Sequence, residues 1–271
     1  MEEYGIVYLL TNPVMPGLVK IGMTGKEDIK TRMRELYTTG VPVPFECQYA
    51  CRVKRADCLR IEQALHKAFA PQRVNSNREF FRIQVEQAVA ILELFQHTDV
   101  TDAVVVEMDN ELTDDDRAAA TRANAESGPG KVQLQLWQRF KERLNATKRI
   151  HTQKTPAPRS WFDVPIGRSN VHISNYCSIW GKYVGVKLYI GNKAVDTYFP
   201  PLCKRRKEID LALGFAPKWD ANPAAKDKTI AIQRQVDFDD FKQVDEALDW
   251  MVEMTLKFYD VFSAELKKMS A

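Results

Sequence analysis

The chain has 271 residues, 45% hydrophobic and 28% charged, which is ordinary for a soluble globular protein with room for one large or two small domains. No apolar run has the length of a membrane span, and the acidic opening Met1-Glu2-Glu3 is unlike a secretory leader. The net charge of +3 is unevenly spread: 13 basic against 11 acidic residues over 1–97, 2 against 9 over 98–130, and 24 against 16 over 131–271. Basic ends around an acidic middle suit domains that meet polyanions, although many cytosolic proteins are basic for other reasons. Five scattered cysteines (Cys47, Cys51, Cys58, Cys177, Cys203) include no Cys-x-x-Cys pair. A zinc finger or disulfide framework is therefore not expected, and a cytoplasmic setting is.

The stretch Gly5 to Thr24 reads as two short strands. Ile6 to Leu10 is apolar and β-prone; Asn12, Pro13, Pro16 and Gly17 break it; Leu18 to Ile21 follows and stops at Gly22. Alternation puts Ile6, Tyr8 and Leu10 on one face and Leu18, Lys20 and Gly22 on one face of the partner. A register joining those faces would project a phenol and an ammonium into one concave site. The plainer alternative is a core tyrosine with its hydroxyl at solvent and a snorkelling lysine.

Next, Ile29, Met33, Leu36 and Tyr37 recur at helical spacing up to about Thr38, after the acidic pair Glu27-Asp28. Arg32 lies at the edge of that apolar stripe, with Lys26, Lys30 and Arg34 further round. Gly40 to Pro44 is a rigid turn, and Phe45 to Val53 reads as a third strand. A helix follows from about Arg55 or Asp57 to Ala70, its stripe being Cys58, Ile61, Leu65 and Phe69. Glu62 falls at the rim of this stripe, with His66 one turn on. A rim carboxylate must be paired, hydrogen-bonded or bound to a cation, because burying it alone is costly. A bridge from Glu62 to a basic neighbour, with His66 capping or at the surface, is the plainer reading. Asn75 to Asn77 mark a turn, Glu79-Phe80-Phe81 opens a short strand or a helix, and Val85, Val89, Leu92 and Phe95 close the first domain.

Residues 98–130, with Asp114 to Asp116 and Ser127-Gly128-Pro129-Gly130, read as an acidic linker carrying a short helix around Asp114 to Ala125. In 131–271 a helix buries Leu134, Trp137, Phe140 and Leu144; Val171 to Ile179 and Tyr183 to Ile190 form a hairpin; and one helix runs from about Asp196 to Leu213. Phe215 to Trp219 and Thr229 to Val236 suggest further strands, and a long helix from Phe241 to Lys268 ends the domain. Lys26, Lys30, Arg34, Arg168 and the run Lys204-Arg205-Arg206-Lys207 are candidate nucleic-acid contacts; a solvated helix face is the plainer reading of the run. The fold class expected is α+β: a three-stranded antiparallel sheet with helices over 1–97, the linker, and a second α+β domain over 131–271. The chain holds no Walker loop, dinucleotide fingerprint or His-Glu-x-x-His.

The motifs Ile6-Val7-Tyr8, Thr11-Asn12, Lys20-Ile21-Gly22 and Thr24 resemble the opening of the GIY-YIG nuclease superfamily, in a branch with lysine for the second tyrosine. The resemblance covers roughly residues 4 to 95, and Glu79-Phe80-Phe81 is similar to a pattern of that branch. It implies that Arg32 contacts the scissile phosphate and that Glu62 ligates Mg²⁺ or Mn²⁺. Tyr8 and Lys20 would position or deprotonate a water, with His66 as an accessory. Glu79 would support this set or cap the next helix. The second half resembles a bacterial domain of unknown function that is appended to nuclease-like proteins, which implies no activity of its own. The expectation is a divalent-metal-dependent DNA endonuclease, with restriction or phage defence as its setting. The rivals are a non-catalytic nucleic-acid-binding protein on the same scaffold and an interaction subunit with a protein partner or homodimer through the second domain.

Overall fold

The computed structural model describes residues 3–25, 29–38, 40–95, 98–125, 127–220 and 227–269. They form two compact units, Met1–Gly128 and Pro129–Ala271.

The first unit is built on strand β1 (Tyr4–Thr11), which lies between β2 (Val19–Thr24) and β3 (Glu46–Lys54). β1 is buried on both faces, which explains its unbroken apolar run. All pairings are antiparallel, and Tyr8 sits opposite Gly22 with Leu10 opposite Lys20. This register puts Tyr8, Lys20 and Gly22 on one face. Two two-residue strands complete the sheet: β4 (Phe80–Phe81) on β2 and β5 (Thr98–Asp99) on β3. The sheet therefore has five strands, in the order β4-β2-β1-β3-β5, where three were expected. The two added strands are too short to leave an alternating pattern.

Helix α1 (Lys30–Leu36) covers the Tyr8 face, where Ile29 and Met33 join Ile6, Tyr8, Leu10 and Phe45 in one cluster. Helix α2 (Arg55–Ala68) packs on β1 and β2. It buries Cys58, Ile61 and Leu65, each such side chain contributing about 1.5–3 kcal/mol on removal from water. Gly5 admits this helix, since a Cβ there would lie 2.6 Å from both Cys58 Sγ and the Thr24 carbonyl. Helix α3 (Val85–Leu92) follows, buried through Val85, Ala88, Val89 and Leu92; Phe95 lies beyond its end and is exposed.

The stretch 98–125 is folded on the first sheet and does not behave as a linker. Helix α4 (Thr101–Asn110) places Val104 in the cluster around Tyr8, with Val100, Val105 and Met108 against it. Thr101 Oγ1 accepts from the Ala50 amide at 2.9 Å. Helix α5 (Asp114–Ala125) is tied back by Tyr37, whose hydroxyl donates to Asp116 at 2.6 Å. A few apolar residues at helical spacing are enough to pack one face, however acidic the rest of the segment.

The second unit is an antiparallel sheet in the order β6-β7-β8-β10-β9. In chain order its elements are α6 (Gly128–Ala146), β6 (Trp161–Arg168), β7 (Val171–Ser178), β8 (Tyr183–Ile190), α7 (Asn192–Lys204), α8 (Arg206–Leu213), β9 (Lys218–Trp219), β10 (Lys228–Gln235) and α9 (Phe241–Lys268). One core joins Trp137 and Phe140 of α6, Phe162 and Val164 of β6, Val186 and Leu188 of β8, and Met251, Phe258 and Phe262 of α9. Inside it, Thr255 Oγ1 donates to Asn175 Oδ1 at 2.7 Å, so both buried groups are satisfied. The expected helix from Asp196 to Leu213 is two helices that meet at Arg205, shortly after the Pro200-Pro201 pair inside α7. Prolines lack the amide that a continuous helix needs.

Candidate functional site

β1, β2, α1, α2 and the turn into β4 bring six polar side chains together at the β4 side of β2. Tyr8 is fully buried, and its ring lies over Gly22: a Cβ there would meet the ring and hydroxyl at 2.7 Å. Arg32 Nε donates to the Tyr8 hydroxyl at 3.2 Å, and Arg32 Nη1 to Glu35 at 2.9 Å. Among the described residues, N–H groups on both terminal nitrogens of Arg32 remain for a further acceptor. Lys20, 4% exposed, forms an ion pair with Glu79, and its ammonium lies 5.5 Å from the centre of the Phe80 ring.

Glu79 is anchored through its main chain as well, since the Ile21 amide donates to its carbonyl at 3.1 Å. His66 Nε2 lies 3.1 Å from the Ile21 carbonyl. A carbonyl only accepts, so Nε2 carries the proton there. The imidazole also packs 5.0 Å from the Phe81 ring. His66 thus braces β2 through a main-chain oxygen. No sequence signal points to that contact; only the spacing of His66 from Glu62 is visible there.

Burial pushes the Tyr8 hydroxyl up to about 12; the bond and charge of Arg32 oppose the shift, and Glu79 and Glu62 add to it. Burial also raises Glu62, helped by Glu79 and opposed by His66, Lys20 and Arg32. Burial raises Glu79 too, but the bond and charge of Lys20, with His66 and Arg32, hold it below the usual carboxylate range. The six groups therefore share one electrostatic neighbourhood. The Glu62 carboxylate, half-buried, has no hydrogen-bond or ion-pair partner among the described residues.

Among the described residues no group of three or more His, Cys, Asp or Glu is placed to hold a metal ion. Among the described residues Glu62 is the carboxylate of this group that no protein partner engages. A hard, half-buried carboxylate without a protein partner among the described residues fits Mg²⁺ or Mn²⁺, which take much of their shell from water and phosphate. It does not fit zinc, whose sites gather three or four protein ligands.

The remaining candidates are dispersed. Lys26 lies outside the described residues, as do the side chains of Lys30 and Arg34. Arg168 ends β6, its Nη1 donating to the Gly167 carbonyl at 3.2 Å. In the basic run, Arg205 pairs with Glu265 and Glu208, and Arg206 lies 3.6 Å from Asp210 and over the Trp219 ring. Lys204 and Lys207 are exposed. The second unit also gathers a polar cluster that the sequence did not suggest. Asp163 accepts from Ser174 at 2.7 Å and from Lys154 at 2.9 Å, with His172 at 3.5 Å.

No helix among the described residues is long and apolar enough to cross a membrane. No curated protein and no solved structure matches the chain. Two family models do. Residues 132–266 match a domain of unknown function, DUF4268. Residues 5–96, which include all six side chains of the site, match the T5orf172 domain, a nuclease-like domain.

Proposed function

We propose that the protein is a divalent-metal-dependent DNA endonuclease of the GIY-YIG type, acting in restriction or phage defence. The observation that carries this reading is the half-buried Glu62 carboxylate, without a protein partner among the described residues and grouped with the guanidinium of Arg32, the ammonium of Lys20 and the phenol of Tyr8. The match of residues 5–96 to a nuclease-like domain supports it.

Phosphodiester hydrolysis needs a placed water, neutralised charge on the phosphoryl oxygens and a stabilised leaving oxygen. Glu62 would hold Mg²⁺ or Mn²⁺, and the bound ion would supply Lewis-acid polarisation. Arg32 presents its remaining N–H groups to a non-bridging oxygen while its Nε holds Tyr8. The Tyr8 hydroxyl, accepting from Arg32, keeps its own proton to orient the water. Exposed lysines of the second unit, Lys204 and Lys207 among them, would grip the backbone and make affinity salt-dependent.

One observation favours the second reading, a non-catalytic nucleic-acid-binding module. Tyr8, its hydroxyl pushed up to about 12, offers no base at neutral pH, and Lys20 is already engaged by Glu79. Incubation with single- and double-stranded DNA, with and without Mn²⁺, decides between the two. Metal-dependent cutting that Glu62→Ala abolishes, in a protein that melts like the wild type, supports the nuclease. Binding without cutting on every substrate refutes it.

A further inference from the structure

We propose that Glu79 is a positioning residue of this site, acting through Lys20. Its carboxylate holds the Lys20 side chain by an ion pair and aims its N–H groups at the scissile phosphate. The inference rests on the nuclease reading and adds a residue and a division of labour to it.

Three observations carry it. First, Lys20 is almost wholly buried on a sheet face, and Glu79 is its ion-pair partner across 59 residues of sequence. Among the described residues the ammonium makes no other hydrogen bond, so two of its three N–H groups remain for phosphate oxygens. Second, Glu79 is fixed at both ends. Its carbonyl takes the Ile21 amide, and its neighbour Phe80 pairs with Lys20 across the strands and lies beneath the ammonium. Such anchoring sets the direction of a flexible four-carbon side chain. Third, Glu79 feels the charges of Lys20, His66 and Arg32, so it belongs to the same group as Glu62 and Tyr8.

The ion pair with Glu79 leaves Lys20 as a donor of hydrogen bonds, so it is assigned to charge neutralisation at the phosphate and not to activation of the water.

The test is a double-mutant cycle under single-turnover conditions in Mn²⁺, on the full chain, with thermal melts of every variant. Glu79→Gln is expected to lose about 10- to 100-fold in rate with KM nearly unchanged, and Glu79→Asp to recover most of the loss. In a Lys20→Met background, Glu79→Gln should cost less than about 3-fold, because the group it aims is gone. The Lys20→Met, Glu79→Gln pair removes both charges, so no uncompensated ammonium is left to unfold the domain. Equal losses from Glu79→Gln in both backgrounds would overturn the proposal and leave the nuclease reading standing. A wild-type protein that leaves every DNA intact would overturn both.

Discussion

Gly22→Ala tests whether the Tyr8 ring sits where the site requires it. A Cβ at position 22 would lie 2.7 Å from the Cε2, Cζ and hydroxyl oxygen of Tyr8. Ordinary carbon contact begins near about 3.5 Å, so the ring must retreat by about 1 Å. Tyr8 is fully buried and packs with Ile29 and Met33 beside α1, so the ring must push against core neighbours. Overpacking of this kind costs about 1–3 kcal/mol, and loss of the Arg32 bond about 1 more. The strand gains about 0.5–1 kcal/mol on losing a glycine, leaving a net cost of about 2–3 kcal/mol. For a domain of this size that lowers Tm by roughly 7–11 °C. A displacement of about 1 Å at a reacting group costs about 100-fold in rate. Differential scanning calorimetry and single-turnover cleavage read the two effects. The same substitution in a Tyr8→Leu background should cost under about 1 kcal/mol, since the clash is gone. A Gly22→Ala protein within about 1 °C of wild type, cutting at full rate, refutes the placement of Tyr8.

Five further outcomes follow from the structure. Burial raises Glu62 above its unfolded value, so its contribution to stability is complete at acid pH and is lost as pH rises through the folded pKa. Glu62→Gln should therefore raise Tm at neutral pH in EDTA, and Mn²⁺ should raise the Tm of wild type but not of this variant. Burial likewise pushes Glu46 up to about 7, with Gln48 opposing, so stability is lost between about pH 4.5 and 7. Glu46→Gln should melt higher than wild type above about pH 7, and an unchanged difference across that range would remove the assignment. Tyr8, raised to about 12, contributes stability that fades between about pH 10 and 12, and Tyr8→Phe should flatten the alkaline melting profile there. In the second unit, Lys204→Ala with Lys207→Ala should reduce the salt slope of DNA binding. Arg205→Ala should lower Tm instead, because Glu265 keeps only Lys268 for a partner among the described residues.

Local signals in the sequence locate the hairpin, the rim carboxylate and the long final helix. Pro13, Pro16 and Gly17 mark the turn between β1 and β2, and Glu62 falls at the edge of the α2 stripe by its spacing from Cys58 and Leu65 alone. The pairing of Lys20 with Glu79 is not legible, because 59 residues separate them and only the closed sheet brings them together. The register is hidden for the same reason, although the clash of Tyr8 with any side chain at position 22 is what the glycine of Lys-Ile-Gly accommodates. The alternation of Phe162, Val164 and Ile166 belongs to β6, a weaker pattern than the hairpin that follows, because Pro165 and Gly167 interrupt it. The basic run at 204–207 reads as one patch in sequence, yet the helix break at Arg205 turns two of its members to Glu265, Glu208 and Asp210.

The brevity of β4 has an effect beyond the site. Among the described residues, no strand pairs the outer side of β2 beyond Lys20, a condition that in other proteins invites a second chain to add itself. Here the Ile21 carbonyl is already taken by an imidazole and its amide by the Glu79 carbonyl. An intruding polypeptide finds neither the acceptor nor the donor it would need to dock there. The histidine beside the carboxylate thus also occupies the main-chain acceptor that strand addition at Ile21 would need.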